Sequence, residues 1–238
     1  MRTLIFDCDG VLVDSEALAE GTLVEYLSRW LPDLNISQVL SQALGMTTAD
    51  ILSHLEALSA HSLPLDATEQ VDTAIEARLA RELKAIEGAD KAIRGIALEK
   101  AVVSNSRRSR VLASLMSTRL AEALGEVPIF TADQVAKPKP DPALYRLAAS
   151  QLGQVPRDCL VVEDSVAGVT AAHAAGMCVI GFVGASHVDA GQSARLIQAG
   201  AWRVLEHMHG LAALVDEWQA NGPAFQTLTA SRTNQGSL

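Results

Sequence analysis

The chain has 238 residues, 49% hydrophobic and 20% charged, with a formal net charge of −9. That length holds one domain of ordinary size plus a smaller one. The negative balance makes the chain a poor nucleic-acid binder, because its single basic cluster, Arg107-Arg108-Ser109-Arg110, is too short to follow a phosphate backbone. No stretch reaches the ~18 apolar residues of a membrane span. Asp7 interrupts the first apolar run too early for a secretory leader, so a cytoplasmic enzyme is expected. Cys8, Cys159 and Cys178 show no CxxC spacing and read as reduced, buried thiols.

The first predicted element is a strand, Leu4–Phe6, ending in Asp7-Cys8-Asp9-Gly10. A strand-free segment follows and reads as helices at Glu16–Trp30, Ile36–Leu44, Thr48–Ala60 and Thr68–Ile86. The second strand, Ala101–Val103, ends in Ser104-Asn105-Ser106 and leads into a helix over Ser109–Leu124. A third, Val127–Phe130, precedes a helix over Asp141–Leu152, with Pro142 suited to its first turn. The fourth, Cys159–Val162, ends in Glu163-Asp164-Ser165, and its helix over Ser165–Ala175 stops at Gly176. The fifth is Cys178–Val183.

Strands this apolar suit a parallel sheet covered by helices on both faces. The alternation predicts an α/β fold, a Rossmann-like parallel-sheet core with right-handed crossovers. The core is expected over 1–14 and 89–220 and an inserted all-helical domain over 15–88. The hinges fall near Val13–Glu16 and Glu87–Ala89, and 221–238 is a polar tail.

In a parallel sheet the C-terminal strand ends share one edge, and ligands bind there. Residues i and i+2 of an extended segment point to one side, so Asp7 and Asp9 can face one pocket. Two close carboxylates repel unless a cation sits with them, and Mg²⁺ is a hard ion that takes oxygen ligands. Glu163 and Asp164 can supply further ligands, and Gly10 permits a sharp turn or close approach. A lone DxD would read as solvated acids or a helix cap, but the second acidic strand end weakens that reading. Ser104 and Asn105 suit a phosphate at a strand-to-helix turn, although a plain helix cap is an equal alternative for Ser106. In Lys137-Pro138-Lys139-Pro140-Asp141-Pro142 the prolines stiffen a loop that holds a lysine in place. Proline spacing alone does not choose between Lys137 and Lys139.

Together these clusters resemble the haloacid dehalogenase superfamily, from Asp7 to about Phe182. Asp7-Cys8-Asp9-Gly10-Val11-Leu12-Val13-Asp14-Ser15 resembles its first motif, DxDGxxxDS, and Ser104-Asn105 its second. Lys137 to Pro142 resembles its third, KPxPDP, read with the lysine at Lys137. Val162 to Gly168 resembles its acidic fourth. The resemblance implies a nucleophile at Asp7 that forms an aspartyl-phosphate, and a general acid and base at Asp9. It implies Mg²⁺ on Asp7, Asp9, Glu163 and Asp164, the Asp9 contact being through its backbone carbonyl. Ser104, Asn105 and Lys137 would hold the phosphoryl oxygens.

The helical insertion is similar to the cap of the β-phosphoglucomutase and phosphoglycolate phosphatase subgroup. Gly45, Met46 and Thr47 resemble its substrate-selecting loop. Arg78 and Arg81 are candidate cap cations, at least one of them on a solvated helix face. A mutase of this subgroup would carry a cap histidine where this chain has Ala19, and an arginine where it has Thr48. Hydrolysis of a small phosphorylated metabolite is therefore expected, a sugar phosphate or sugar-acid phosphate first. A β-phosphoglucomutase-type activity and phosphoglycolate hydrolysis are the alternatives. The expected partners are that metabolite and, at most, a second copy in a homodimer. An inert binding module is disfavoured because every core motif residue is present.

Overall fold

The computed structural model describes residues 2–40 and 48–221. The chain begins as β1 (Thr3–Phe6), all four residues buried. Four helices follow: α1 (Glu16–Trp30), α2 (Ile36–Leu40), α3 (Thr48–Leu58) and α4 (Ala67–Glu82). Then come α5 (Ala89–Gly95), β2 (Glu99–Ser104), α6 (Arg108–Ser117), α7 (Leu120–Leu124), β3 (Ile129–Thr131) and α8 (Ala143–Gln151). The last third holds β4 (Cys159–Glu163), α9 (Val166–Ala174), β5 (Cys178–Phe182), α10 (Gln192–Ala199), β6 (Arg203–Leu205) and α11 (Leu211–Asn221).

The six strands pair in parallel in the order β3-β2-β1-β4-β5-β6. The expected α/β architecture is therefore present, with β1 between β2 and β4. Phe6 is level with Val102 on one side and Val162 on the other. The chain leaves β1 towards β2 and later returns to β4 on the opposite side, so strand order reverses beside β1. That places the ligand-binding crevice of such a sheet just beyond Phe6.

Alternation along each strand sorts the core into two layers. Leu4, Phe6, Val102, Leu160 and Val162 pack on one face, while Ile5, Ala101, Val103 and Val161 pack on the other. The helices α1 to α4 bury a third cluster of their own, including Leu27, Leu55, Val71, Ile75 and Leu79. Each fully buried aliphatic side chain of this kind contributes roughly 1.5–3 kcal/mol.

Three expectations about the elements change. The helix foreseen over Ser109–Leu124 is two helices, because Arg119 lies between them at φ 60, a left-handed backbone that no α-helix continues through. The helix foreseen to reach Ile86 ends at Glu82, and the chain becomes extended there. Ala85 pairs with Val13 in an antiparallel bridge, the Asp14 N–H donates to the Lys84 carbonyl (2.9 Å), and Ile86 N–H donates to the Leu12 carbonyl (2.9 Å). The two segments joining insertion and sheet are thus bonded to each other. Finally, β6 was unforeseen: three residues with an exposed Arg203 carry too little pattern. The helix expected over Ile36–Leu44 is described only as far as Leu40, and the expected tail only at Asn221.

Candidate active site

Asp7 is the first residue beyond β1. Its backbone N–H donates to the Val162 carbonyl (3.0 Å), which ties it to β4. The chain then turns tightly, with Leu12 and Val13 N–H groups both donating to the Cys8 carbonyl. Gly10 enables this turn at φ +75, and a Cβ there would overlap the Asp164 carboxylate. Gly168 does the same service for Glu163, whose carboxylate fills the space a Cβ would take.

Three buried carboxylates, Asp7, Glu163 and Asp164, present oxygens within 4.8 Å of one another. Lys139 lies against them, not Lys137. Its ammonium donates to Asp7 Oδ1 (2.8 Å), Glu163 Oε1 (2.7 Å) and the Val103 carbonyl (2.9 Å), which uses all three of its protons. Its Nζ also sits 5.0 Å from the centre of the Tyr145 ring. Lys137 is exposed. The reading of Lys137 as the site lysine is therefore corrected by two residues. The physical reason is that Lys-Pro-Lys-Pro-Asp-Pro offers a proline-flanked lysine in two registers, and only the second meets the sheet. Asn105 fixes that register: its Oδ1 accepts from Lys139 N–H (2.9 Å) and its Nδ2 donates to the Lys139 carbonyl (3.1 Å). Asn105 thus holds the backbone of the lysine loop.

Burial raises the pKa of Asp7 well above the carboxylate range. Lys139 opposes this, but Glu163, Asp164 and Asp9 add to it. Burial alone would lower the pKa of Lys139, yet Asp7 and Glu163 outweigh it and hold the ammonium protonated. Burial likewise pushes Asp164 up to about 6. Among the described residues, Lys139 is the only lysine or arginine paired with these three acids. Two negative charges are left uncompensated when all three ionise, and the donors are all hard oxygens. Such a set fits a divalent cation.

Within the cluster the acids differ. Glu163 is fully buried and already engaged: Oε1 accepts from Lys139, and Oε2 accepts from Ser165 N–H (2.9 Å) and Ser165 Oγ (3.0 Å). Ser165 Oγ in turn accepts from Gly168 N–H, capping α9. Asp164 is freer. Its Oδ2 lies 3.4 Å from His187 Nε2, and Gln192 donates to its carbonyl (2.5 Å).

The Asp9 carboxylate stands apart from the cluster, facing β2. Ser15 Oγ donates to its Oδ1 (2.7 Å), and Ser106 Oγ (2.7 Å) and Ser104 Oγ (3.3 Å) donate to its Oδ2. Ser106 is thus a partner of Asp9, and the flanking residue of α6 is Arg107. Arg110 approaches the same carboxylate at 3.8 Å. Glu16 opens α1 and is exposed to the crevice. Crowding there removes hydration and, with the charges of Asp9 and Asp164, raises its pKa to about 7 against the pull of His187 and Arg110.

The cap candidates fare differently. Gly45, Met46 and Thr47 lie outside the described residues. Arg78 turns towards α1, close to Thr22 Oγ1 (3.5 Å), and pairs with Glu82 one turn on. Arg81 is exposed beside Glu82. Sequence reasoning missed Lys139, Tyr145, Ser15, Arg110, Glu16 and His187 as site residues. Ser15 stood in the first motif without a role, and Tyr145 is the one aromatic of α8. The others meet the site only through folding.

A parallel sheet whose central strand ends in a buried aspartate, braced by a lysine and faced by a second acidic strand end, defines an α/β protein with a site suited to a phosphoryl group and a divalent cation. The comparisons agree. The family description "haloacid dehalogenase-like hydrolase" matches residues 1–176. The 6-phosphogluconate phosphatase of Escherichia coli is 30% identical over 79% of this chain and 85% of its own. A Bacillus subtilis protein described as putative phosphatase YhcW is 34% identical over 76% and 83%. Among solved structures, a haloacid dehalogenase-like protein from Agrobacterium tumefaciens superposes with a TM-score of 0.83 at 34% identity, covering 91% of this chain and 98% of that one. A hydrolase of the same family from Deinococcus radiodurans, solved with bound phosphate and sodium, gives 0.76 at 32%, covering 92% and 96%. The chain belongs to the haloacid dehalogenase-like hydrolases, and it is a phosphatase.

Proposed function

We propose that the protein is a Mg²⁺-dependent phosphatase of small phosphorylated metabolites, sugar phosphates or sugar-acid phosphates first. The observation that carries this reading is the buried Asp7–Lys139–Glu163 arrangement with Asp164 beside it and a separate carboxylate, Asp9, held by three hydroxyls. The E. coli relative named for 6-phosphogluconate and a hexitol phosphatase from the same organism, 29% identical, support the substrate class.

Asp7 attacks phosphorus and becomes an aspartyl-phosphate; the bond from phosphorus to the alcohol oxygen breaks, and Asp9 gives that oxygen its proton. Asp9, now a carboxylate, takes a proton from water as the water attacks the aspartyl-phosphate, which frees Asp7 and phosphate. Lys139 holds Asp7 in place and offsets phosphoryl charge, and Ser104 and Asn105 border the phosphoryl position. Asp7 and Asp164 would hold the magnesium, with Glu163 beside them, and a bound Mg²⁺ supplies charge neutralisation to the phosphoryl oxygens. The helices α1 to α4 act as a cap that excludes water and selects the alcohol portion. Ala19 packs into the apolar cluster of that layer and brings no titratable group to Asp9, which favours hydrolysis over a mutase.

The test is a Mg²⁺-supplemented screen of phosphorylated sugars, sugar acids and nucleotides with wild type and Asp7→Asn. Wild type should release phosphate and Asp7→Asn should not, with its melting curve still cooperative. Retained turnover in Asp7→Asn would overturn the nucleophile.

A further inference from the structure

The one basic cluster in the sequence, Arg107 to Arg110, divides in the fold. Arg108 anchors to the edge of the sheet through its N–H and its guanidinium, on Asp133 and the Ile129 carbonyl. Arg110, one turn into α6, faces the crevice between sheet and helical layer, where its side chain is 24% exposed. Its guanidinium has two acidic neighbours and holds neither closely: Asp9 Oδ1 at 3.8 Å from the sheet side, and Glu76 Oε1 of α4 at 3.8 Å from the layer side. Its Nε is buried and makes no hydrogen bond. Two surface arginines pair more tightly, at 2.7 Å for Arg195 with Asp189 and 2.8 Å for Arg203 with Glu217, whereas exposed Arg81 stands 3.7 Å from Glu82.

A partly buried guanidinium whose Nε donor is unsatisfied is costly to keep unless something completes it. Its planar fork matches a carboxylate or phosphate with two parallel hydrogen bonds. The phosphoryl group itself belongs to Asp7 and Lys139. Asp9 is the group that meets the leaving oxygen, so whatever is attached to that oxygen extends towards Asp9's own neighbour, Arg110. The layer-side candidate Arg78 is turned to Thr22 and Glu82 instead. We propose that Arg110 is a specificity-determining residue: it receives an anionic group, a carboxylate or a second phosphate, on the alcohol portion of the substrate, and Glu76 is its resting partner. This rests on the phosphatase reading above and adds to it the charge of the preferred substrate.

The experiment measures kcat and KM with Mg²⁺ for wild type, Arg110→Met, Arg110→Lys and Glu76→Gln on three probes. 6-Phosphogluconate carries a carboxylate, fructose 1,6-bisphosphate a second phosphate, and sorbitol 6-phosphate a neutral remainder. Wild type should prefer one anionic probe over sorbitol 6-phosphate by about tenfold or more in kcat/KM, the scale of a charge-assisted hydrogen bond. Arg110→Met should erase that preference through KM of the anionic probe. Arg110→Lys should keep part of it, and Glu76→Gln should lower that KM several-fold by removing the competitor. An equal loss on charged and neutral probes, a preference that survives Arg110→Met, or no preference in wild type overturns the inference. Wild type inactive on every phosphate monoester overturns the phosphatase reading as well, and is told apart by that result.

Discussion

On the β4 side of the site, charges meet at hydrogen-bond distance: Lys139 spans Asp7 and Glu163 at 2.8 and 2.7 Å with no room left over. On the β2 side, Asp9 is held by three hydroxyls, and its nearest arginine stands at 3.8 Å. The difference matches the two proposed tasks. A nucleophile must stay in one place, and the buried ammonium pins Asp7 there while opposing the rise that burial gives its pKa. A proton carrier must exist both as acid and as carboxylate. Hydroxyls serve either form, because each can donate or accept.

The comparison breaks first at Lys139. Lys139→Met should leave Asp7 and Glu163 buried without a counter-charge, at a cost of about 3–5 kcal/mol in stability, and lower kcat by about a thousandfold or more. Lys137→Met should behave like wild type in both melting and phosphate-release assays. Equal damage from the two substitutions would undo the assignment of Lys139.

Asp9→Asn should be milder and selective. It keeps the shape of the group but not the exchangeable proton. Turnover of a sugar phosphate should fall by about a hundredfold or more, and that of p-nitrophenyl phosphate, whose leaving group needs little protonation, by clearly less in the first step. A burst of nitrophenol followed by slow turnover is the expected signature, since water attack loses its base. Equal losses on both esters in the burst phase, before water attack limits turnover, would remove the acid role.

The smallest effect concerns protons and metal. Asp164 has its pKa raised to about 6, so below that pH Mg²⁺ must displace a proton from it. Each pH unit further down should weaken apparent Mg²⁺ affinity by about tenfold for each proton released, with Asp7, its pKa also raised, adding to the effect of Asp164. Protons compete with the metal at any carboxylate ligand, and the raised pKa moves that competition up to near pH 6. Titration calorimetry at pH 5 and 7 reads this directly, and an affinity independent of pH would exclude Asp164 as a ligand.

Much of this edge is legible before folding. Asp7, Ser104 and Glu163 each end an apolar run, and a parallel sheet of the inferred kind must bring those ends together. What sequence does not carry is the choice between equivalent registers, as at Lys137 and Lys139, which only burial against β2 and β4 decides. Nor does it carry the convergence of Ser15, Ser106 and Arg110 on Asp9. Those residues lie on elements separated by the whole helical insertion, and each alone reads as a turn or surface residue.

The paired segments Leu12–Asp14 and Lys84–Ile86 carry one more implication. Two crossings bonded to each other form a single strip between sheet and helical layer. Glu76 lies six residues before the end of α4, roughly 9 Å along the helix from Glu82 at 1.5 Å per residue, and the strip begins two residues further on. A small rotation there leaves the Asp14–Lys84 contact in place and separates Glu76 from Arg110. If the helical layer acts as the proposed cap, a swing about this strip would free the guanidinium as an anion enters.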